Sequence, residues 1–226
     1  MPTQTITNLA QYKLRNSLIS ITLFCFCLLV FRAITFQSFA YLFLIWNLFL
    51  AAVPYFISNY LRNNKTSISN FKLISVLCLW LLFLPNAGYI ITDFFHLKNI
   101  TSAPLWLDTL ILFSFSITGL IFFFISIYQF EKIIQQHFKI KTFYLTLFVI
   151  ILSAFGVYLG RYLRWNSWDI ITQLDVLFLD IINRILFPLK HYRTWGVTFG
   201  YGIFFSVIYF GCKDLVKSLR KINGEI

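Results

Sequence analysis

The sequence predicts an all-α polytopic membrane helical bundle of about six transmembrane helices, with one amphipathic interfacial helix near residues 170–187. Three observations carry that expectation. Of 226 residues, 59% are hydrophobic and only 12% are charged, whereas soluble globular domains carry about a quarter charged residues. The mean hydropathy is +0.76. Apolar runs of roughly 20 residues, the length that crosses a bilayer core, recur along the whole chain. A water-soluble domain is excluded, and no linker or repeat divides the chain, so residues 1–226 read as a single integral-membrane domain.

The spans fall at about 17–36, 39–58, 71–92, 106–128, 142–160 and 195–212. The first follows Lys13 and Arg15 in the manner of a signal peptide, but Arg32 comes directly after its apolar run and no small-residue cleavage site follows, so an uncleaved span is expected. Orientation follows from the basic residues outside the spans. Lys13, Arg15, Arg62, Lys65, Lys72, Lys132, Lys139, Lys141, Lys213, Lys217, Arg220 and Lys221, 12 in all, share one side, against the seven residues Arg32, Lys98, Arg161, Arg164, Arg184, Lys190 and Arg193 on the other. Basic residues accumulate in cytoplasmic loops, so both termini are expected in the cytoplasm, the chain lying multi-pass in the cell (cytoplasmic) membrane. The net charge of +11 is explained the same way. With no compact basic run or nucleic-acid module, a nucleic-acid partner is not expected.

Residues 170–187 are the doubtful segment. Their 12 Leu, Ile, Val and Phe residues favour insertion by about 4–7 kcal/mol, while Asp175 and Asp180 oppose it by about 5–7 kcal/mol. At 100° per residue Asp169, Thr172, Gln173, Asp180, Asn183 and Arg184 fall on one face, the pattern of a helix lying in the interface. A surface helix on the outer leaflet, ended by Pro188, is therefore expected. Asp175 falls off that polar face.

The pairs Gly156-x-x-x-Gly160 and Gly196-x-x-x-Gly200 have the spacing that lets helix backbones approach, either within the bundle or in self-association of two copies. Cys25, Cys27, Cys78 and Cys212 lie in or at the ends of apolar segments and suggest neither a disulfide framework nor a metal site. Arg32 is expected to snorkel outward, and Asn47 to hydrogen-bond across helices.

Two polar, aromatic-rich stretches end on the same outer side. In Leu84-Pro85-Asn86-Ala87-Gly88-Tyr89-Ile90-Ile91-Thr92-Asp93-Phe94-Phe95-His96-Leu97, Pro85 removes a backbone donor within the span. A resumed α-helix would place Asn86, Tyr89, Asp93 and His96 within an arc of about 80°. Asp93 and His96 are the candidate catalytic pair, as a general base, and Asn86 and Tyr89 are candidate binding residues. The structural alternative is a kinked helix with an interfacial Asp–His pair. Two ligands do not make a metal site, and none is assigned. In Gly160-Arg161-Tyr162-Leu163-Arg164-Trp165-Asn166-Ser167-Trp168-Asp169, continued helix puts Arg161, Arg164, Trp165 and Trp168 on one side, suited to an anionic head group held by guanidinium forks and framed by rings. The alternative is an interfacial anchor of Trp and snorkelling Arg. Asp169 and Asp108 complete the candidate binding set, although Asp108, just after Pro104, equally suits a helix N-terminus.

With their Leu-Pro-Asn-Ala-x-Tyr and Ile-Thr-Asp-x-x-His-Leu elements, Trp80–Leu97, together with Tyr158–Asp169 and the Trp46-Asn47-Leu-Phe-Leu segment, resemble a bacterial membrane family, domain of unknown function 1361. Gly88 stands where that family has proline. The resemblance implies a bacterial membrane setting and supports the choice of segments; it implies no substrate and no cofactor.

The leading expectation is a multi-pass membrane protein with an extracytoplasmic polar pocket that binds or processes an anionic lipid or lipid-linked group. The alternatives are a small-solute transporter and a non-catalytic accessory subunit. The lipid bilayer itself is the one partner composition dictates.

Overall fold

A computed structural model describes residues 2–64, 69–99, 103–165 and 167–222, the side chains of residues 2–8, 10, 96, 98 and 99 lying outside the description. The elements are α1 (Pro2–Phe36), α2 (Phe43–Asn63), α3 (Asn70–Tyr89), a 3-10 helix (Ile90–Asn99), α4 (Leu105–Phe138), α5 (Phe143–Tyr162), α6 (Asp169–Thr172), α7 (Leu174–Leu186) and α8 (Tyr192–Ile222). Among the described residues there is no strand. Among the described residues six helices are long and apolar enough to cross a membrane: Gln11–Phe36, Phe43–Asn63, Asn70–Phe95, Leu105–Phe138, Phe143–Tyr162 and Tyr192–Ile222. The chain is an all-α polytopic bundle, as its composition requires.

Helix α4 is the central element. It packs against α1, α2, α3 and the 3-10 helix, and its Ile111, Leu112, Phe115, Phe123 and Ile127 are fully buried. It runs ten residues past the expected end at 128. The apolar window closes there because Gln129, Glu131 and Lys132 follow, yet Gln129 and Glu131 are themselves buried. Glu131 accepts bonds from Thr146 Oγ1 (3.0 Å), Tyr209 Oη (2.7 Å) and Lys213 Nζ (2.6 Å). A carboxylate saturated by donors from α5 and α8 can be carried within a bundle, where a bare one could not.

The same principle overturns the expectation for Arg32. It does not snorkel outward. It is 1% exposed and its Nε and Nη2 meet Asp108 Oδ1 and Oδ2 at 2.6 and 3.3 Å. This forked pair ties α1 to the first turn of α4, with the Tyr41 ring 4.7 Å below the guanidinium. Burial, reinforced by the Asp108 carboxylate, pushes the Tyr41 phenol up to about 12, so it stays neutral at physiological pH.

Gly156 and Gly160 sit on the face of α5 that meets α3. A Cβ on Gly156 would fall inside van der Waals contact with the Pro85 ring, 2.8 Å from its Cβ, and one on Gly160 would lie 3.4 Å from the Tyr89 ring. The second pair behaves differently. Gly196 and Gly200 have open space beside them, so they mediate no close approach within the chain.

Residues 170–187 do not span. Helix α7 has 13 residues, about 20 Å at the helical rise, short of the ~30 Å hydrocarbon core. The segment differs from one continuous amphipathic helix in two respects. It breaks at Gln173 (φ −143°, ψ 45°), and its inward stripe is Leu177, Asp180, Ile181 and Arg184, while Leu174, Val176, Phe178, Leu179, Ile185 and Leu186 are exposed. Arg184, expected on the solvated face, is 7% exposed. Pairing decides it: Asp180, four residues earlier, takes the Arg184 guanidinium at 3.1 Å, leaving the apolar side to face lipid.

Gly156→Ala drives a methyl into Pro85 and should destabilise the bundle by about 1–3 kcal/mol. Gly200→Ala, with no neighbour to meet, should leave thermal unfolding in detergent unchanged or slightly raised; equal behaviour of the two variants would refute the α3–α5 contact.

Candidate functional site

The ends of α3 and α5 meet the starts of α2 and α8 at one end of the bundle. Helix α3 passes through Pro85 without breaking and gives way after Tyr89 to the 3-10 helix. The arc expected for a resumed α-helix therefore holds only for Asn86 and Tyr89. At three residues per turn Ile90 and Asp93 eclipse, and both are buried, at 0% and 1% exposure. Gly119 on α4 receives this segment, since a Cβ there would meet the Ile90 side chain.

Asp93 is consequently turned into the bundle. Its Oδ2 accepts from Asn47 Nδ2 of α2 at 2.8 Å and its Oδ1 from Arg161 Nη2 of α5 at 2.8 Å. Arg161 Nε donates to Thr92 Oγ1 (2.8 Å), whose hydroxyl donates to the Tyr89 carbonyl (2.6 Å). The guanidinium lies 4.7 Å from the Tyr89 ring centre and 5.5 Å from that of Phe95, close enough for cation–π attraction. The cross-helix role expected of Asn47 is thus met with a specific partner.

The second stretch departs from continued helix. α5 stops at Tyr162, and the chain turns through Arg164 in the left-handed region (φ 61°), a conformation costing about 1–2 kcal/mol for a residue with a Cβ. Trp165 N–H bonds the Leu159 carbonyl at 3.1 Å. The turn separates the residues expected on one side: Arg161 points to Asp93, Arg164 is exposed, and Trp165 is directed inward, its indole donating to Asp180 Oδ2 at 3.0 Å. Ser167 accepts from Asn86 Nδ2 at 2.9 Å, fastening the turn to α3. Trp168 lies 6.5 Å from the Trp46 ring.

Between these elements lies a cavity of about 510 Å³, within the usual range for small-molecule sites. Trp46, Asn47, Asn86, Tyr89, Trp165, Ser167 and Trp168 line its polar, aromatic end; Leu152, Phe155, Gly156, Leu159, Leu177, Ile181, Ile185, Trp195 and Thr198 are among the residues forming its largely apolar remainder. Helix α7 covers it. Among the described residues no charged side chain lines it.

Of the sequence-derived candidates, Asn86, Tyr89, Trp165 and Trp168 line the cavity. Asp93 and Arg161 lie behind its wall as an ion pair. Asp108 is engaged by Arg32 of α1, Arg164 is exposed, and Asp169 opens α6, accepting from Thr172 Oγ1 at 3.4 Å. The side chain of His96 lies outside the described residues. Among those described, no three His, Cys, Asp or Glu side chains are disposed to hold a metal ion. Sequence reasoning did not find Trp46, Ser167, Trp195 or the inward stripe of α7; only the Trp residues carried a signal, and it was indistinguishable from an interfacial belt.

The fold and cavity define a class: a helical membrane bundle with a covered pocket at one end. Residues 46–208 match the family model described as "Protein of unknown function (DUF1361)", and the chain belongs to that family. No curated protein and no solved structure matches it.

Asp93→Ala removes the carboxylate partner of Arg161 and should cost about 3–5 kcal/mol, read as a lowered unfolding temperature in detergent. Pairing Asp93→Leu with Arg161→Met should recover most of that loss. If the double replacement is no more stable than Asp93→Ala, the ion pair does not set the position of α5.

Proposed function

We propose that the protein binds a lipid or lipid-linked molecule, its apolar chain lying in the cavity beneath α7 and its uncharged polar groups meeting Asn47, Asn86 and Ser167. The single observation that carries this reading is the cavity of about 510 Å³, walled mainly by Leu, Ile, Phe and Trp side chains with three uncharged hydrogen-bonding side chains gathered at one end. A small hydrophilic solute would leave most of that wall unsatisfied, whereas a hydrocarbon chain gains by burial there. Transport is therefore the weaker reading, and no observation favours an accessory role. The distribution of basic residues supports an orientation with this end away from the cytoplasm.

The geometry refines the site. Asp93 and Arg161 neutralise each other behind the wall and serve to position Asn47 and Tyr89. They do not meet the ligand, and neither is assigned a proton-transfer step. Arg164, exposed and away from the cavity, has no part in binding.

The test is extraction of lipid co-purifying with the protein from membranes, quantified by mass spectrometry. Leu152→Trp, which fills the cavity, should lower bound lipid at least several-fold while leaving the protein folded. Arg164→Gly, which also relieves the left-handed turn, should leave the bound lipid unchanged. An identical lipid complement in wild type and Leu152→Trp would overturn the reading.

A further inference from the structure

The corner where α7 passes into α8 holds an excess of hydrogen-bond donors without acceptors. Four buried side-chain atoms there have no partner: Arg184 Nε, His191 Nε2, Thr194 Oγ1 and Thr198 Oγ1. Arg184, Thr194 and Thr198 are 7%, 0% and 1% exposed. One hydrogen bond joins the two helices here. Thr194 and Thr198 are one helical turn apart on α8, and between them Trp195 donates its indole N–H to the Arg184 carbonyl at 3.2 Å. Thr198 and Trp195 line the cavity, as do Ile181 and Ile185 on either side of Arg184.

A buried polar group left without a partner is costly, and these four belong to consecutive stretches of chain at one corner. All four can donate to a single ligand. A guanidinium Nε–H can only donate, and hydroxyls and imidazole can do so. The nearest acidic group is already used: Asp180 receives Arg184 Nη1 at 3.1 Å and the Trp165 indole at 3.0 Å. What the corner lacks is an acceptor with several lone pairs.

We propose that this corner is an oxyanion site, and that it takes the phosphate or carboxylate group of a molecule whose apolar chain occupies the adjoining cavity. This deepens the lipid reading and rests on it, moving the anionic recognition from Arg161 and Arg164 to Arg184, with Thr194, Thr198 and His191 as further donors. The corner is closed in this structure, so the head group enters as α7 lifts. The helix is suited to that: it is bounded by non-helical Gln173 and Phe187, and indole bonds from Trp165 and Trp195 tie it to the bundle.

The test titrates the purified protein in a neutral maltoside detergent with dodecyl phosphate, dodecanol and inorganic phosphate separately, reading intrinsic tryptophan fluorescence and unfolding temperature. Dodecyl phosphate should bind at least about ten-fold more tightly than dodecanol, the scale of one charge-assisted hydrogen bond. Arg184→Gln should abolish that preference. Arg184→Lys should keep part of it, and Thr198→Val, which preserves shape, should weaken it several-fold without lowering the unfolding temperature. Inorganic phosphate alone should bind more weakly than dodecyl phosphate; equal binding would assign the corner to a free anion and overturn the lipid head group. Equal binding of dodecanol and dodecyl phosphate, with both lost in Leu152→Trp, would overturn the oxyanion corner and leave the lipid cavity standing. Binding of neither chain would overturn the cavity reading itself.

Discussion

The Asp93 carboxylate is the joint on which this end of the molecule depends. It is 1% exposed, and a charge so placed in a medium of low dielectric persists only if opposite charge and hydrogen-bond donors saturate it. Asn47 supplies a donor from α2 and Arg161 a cation from α5, so one side chain fixes three separate stretches of chain. Arg161 extends the joint through Thr92 to the Tyr89 carbonyl, capping the point where α3 changes to a 3-10 helix. Apolar contacts between membrane helices tolerate sliding; a carboxylate held by partners on two other helices does not.

Similar joints fix the rest of the bundle. Arg32 and Asp108 bind α1 to α4 at one place. Toward the other end of α4, Glu131 gathers Thr146, Tyr209 and Lys213, holding α4, α5 and α8. A third network, in which Ser126 accepts from Trp80 and lies beside Ser58, which donates to Gln129, links α2, α3 and α4. Buried ion pairs contribute little net stability against apolar replacements. Their contribution here is register: lipid gives the helices no hydrophobic reason to prefer one alignment, whereas each joint fits only one.

Fixed register leaves a consequence at the α3–α5 end. Gly156 lets α5 close against Pro85, while Trp46, Trp165, Trp168 and Trp195 line the space between these helices and α7. The space that remains is the cavity. Its charges have been drawn either into the wall, as Asp93 and Arg161, or into the α7–α8 corner, as Asp180 and Arg184, which is why its surface is apolar and aromatic with polar groups only at its ends.

Composition and hydropathy determined the class of structure, because a chain with this little charge satisfies its backbone in a membrane only as helices, and the length of each apolar run determined the number of spans. Local pattern also determined that residues 170–187 stop short of spanning, but the Gly-x-x-x-Gly spacing did not separate Gly156, which meets Pro85, from Gly196, which has open space beside it. It could not determine partners. That Asp108 belongs to Arg32, 76 residues away, or Glu131 to Lys213, 82 residues away, has no signature in either neighbourhood. The same limit governed the site. Asn86 and Tyr89 were legible because the α-helical period holds through them; Asp93 was turned away from them by the change to three residues per turn, and Arg164 was separated from Arg161 by a left-handed residue that no propensity favours. The tertiary structure alone decided which charges face one another, because in a low-dielectric interior that choice is made by pairing across the bundle, between residues that are remote in the chain.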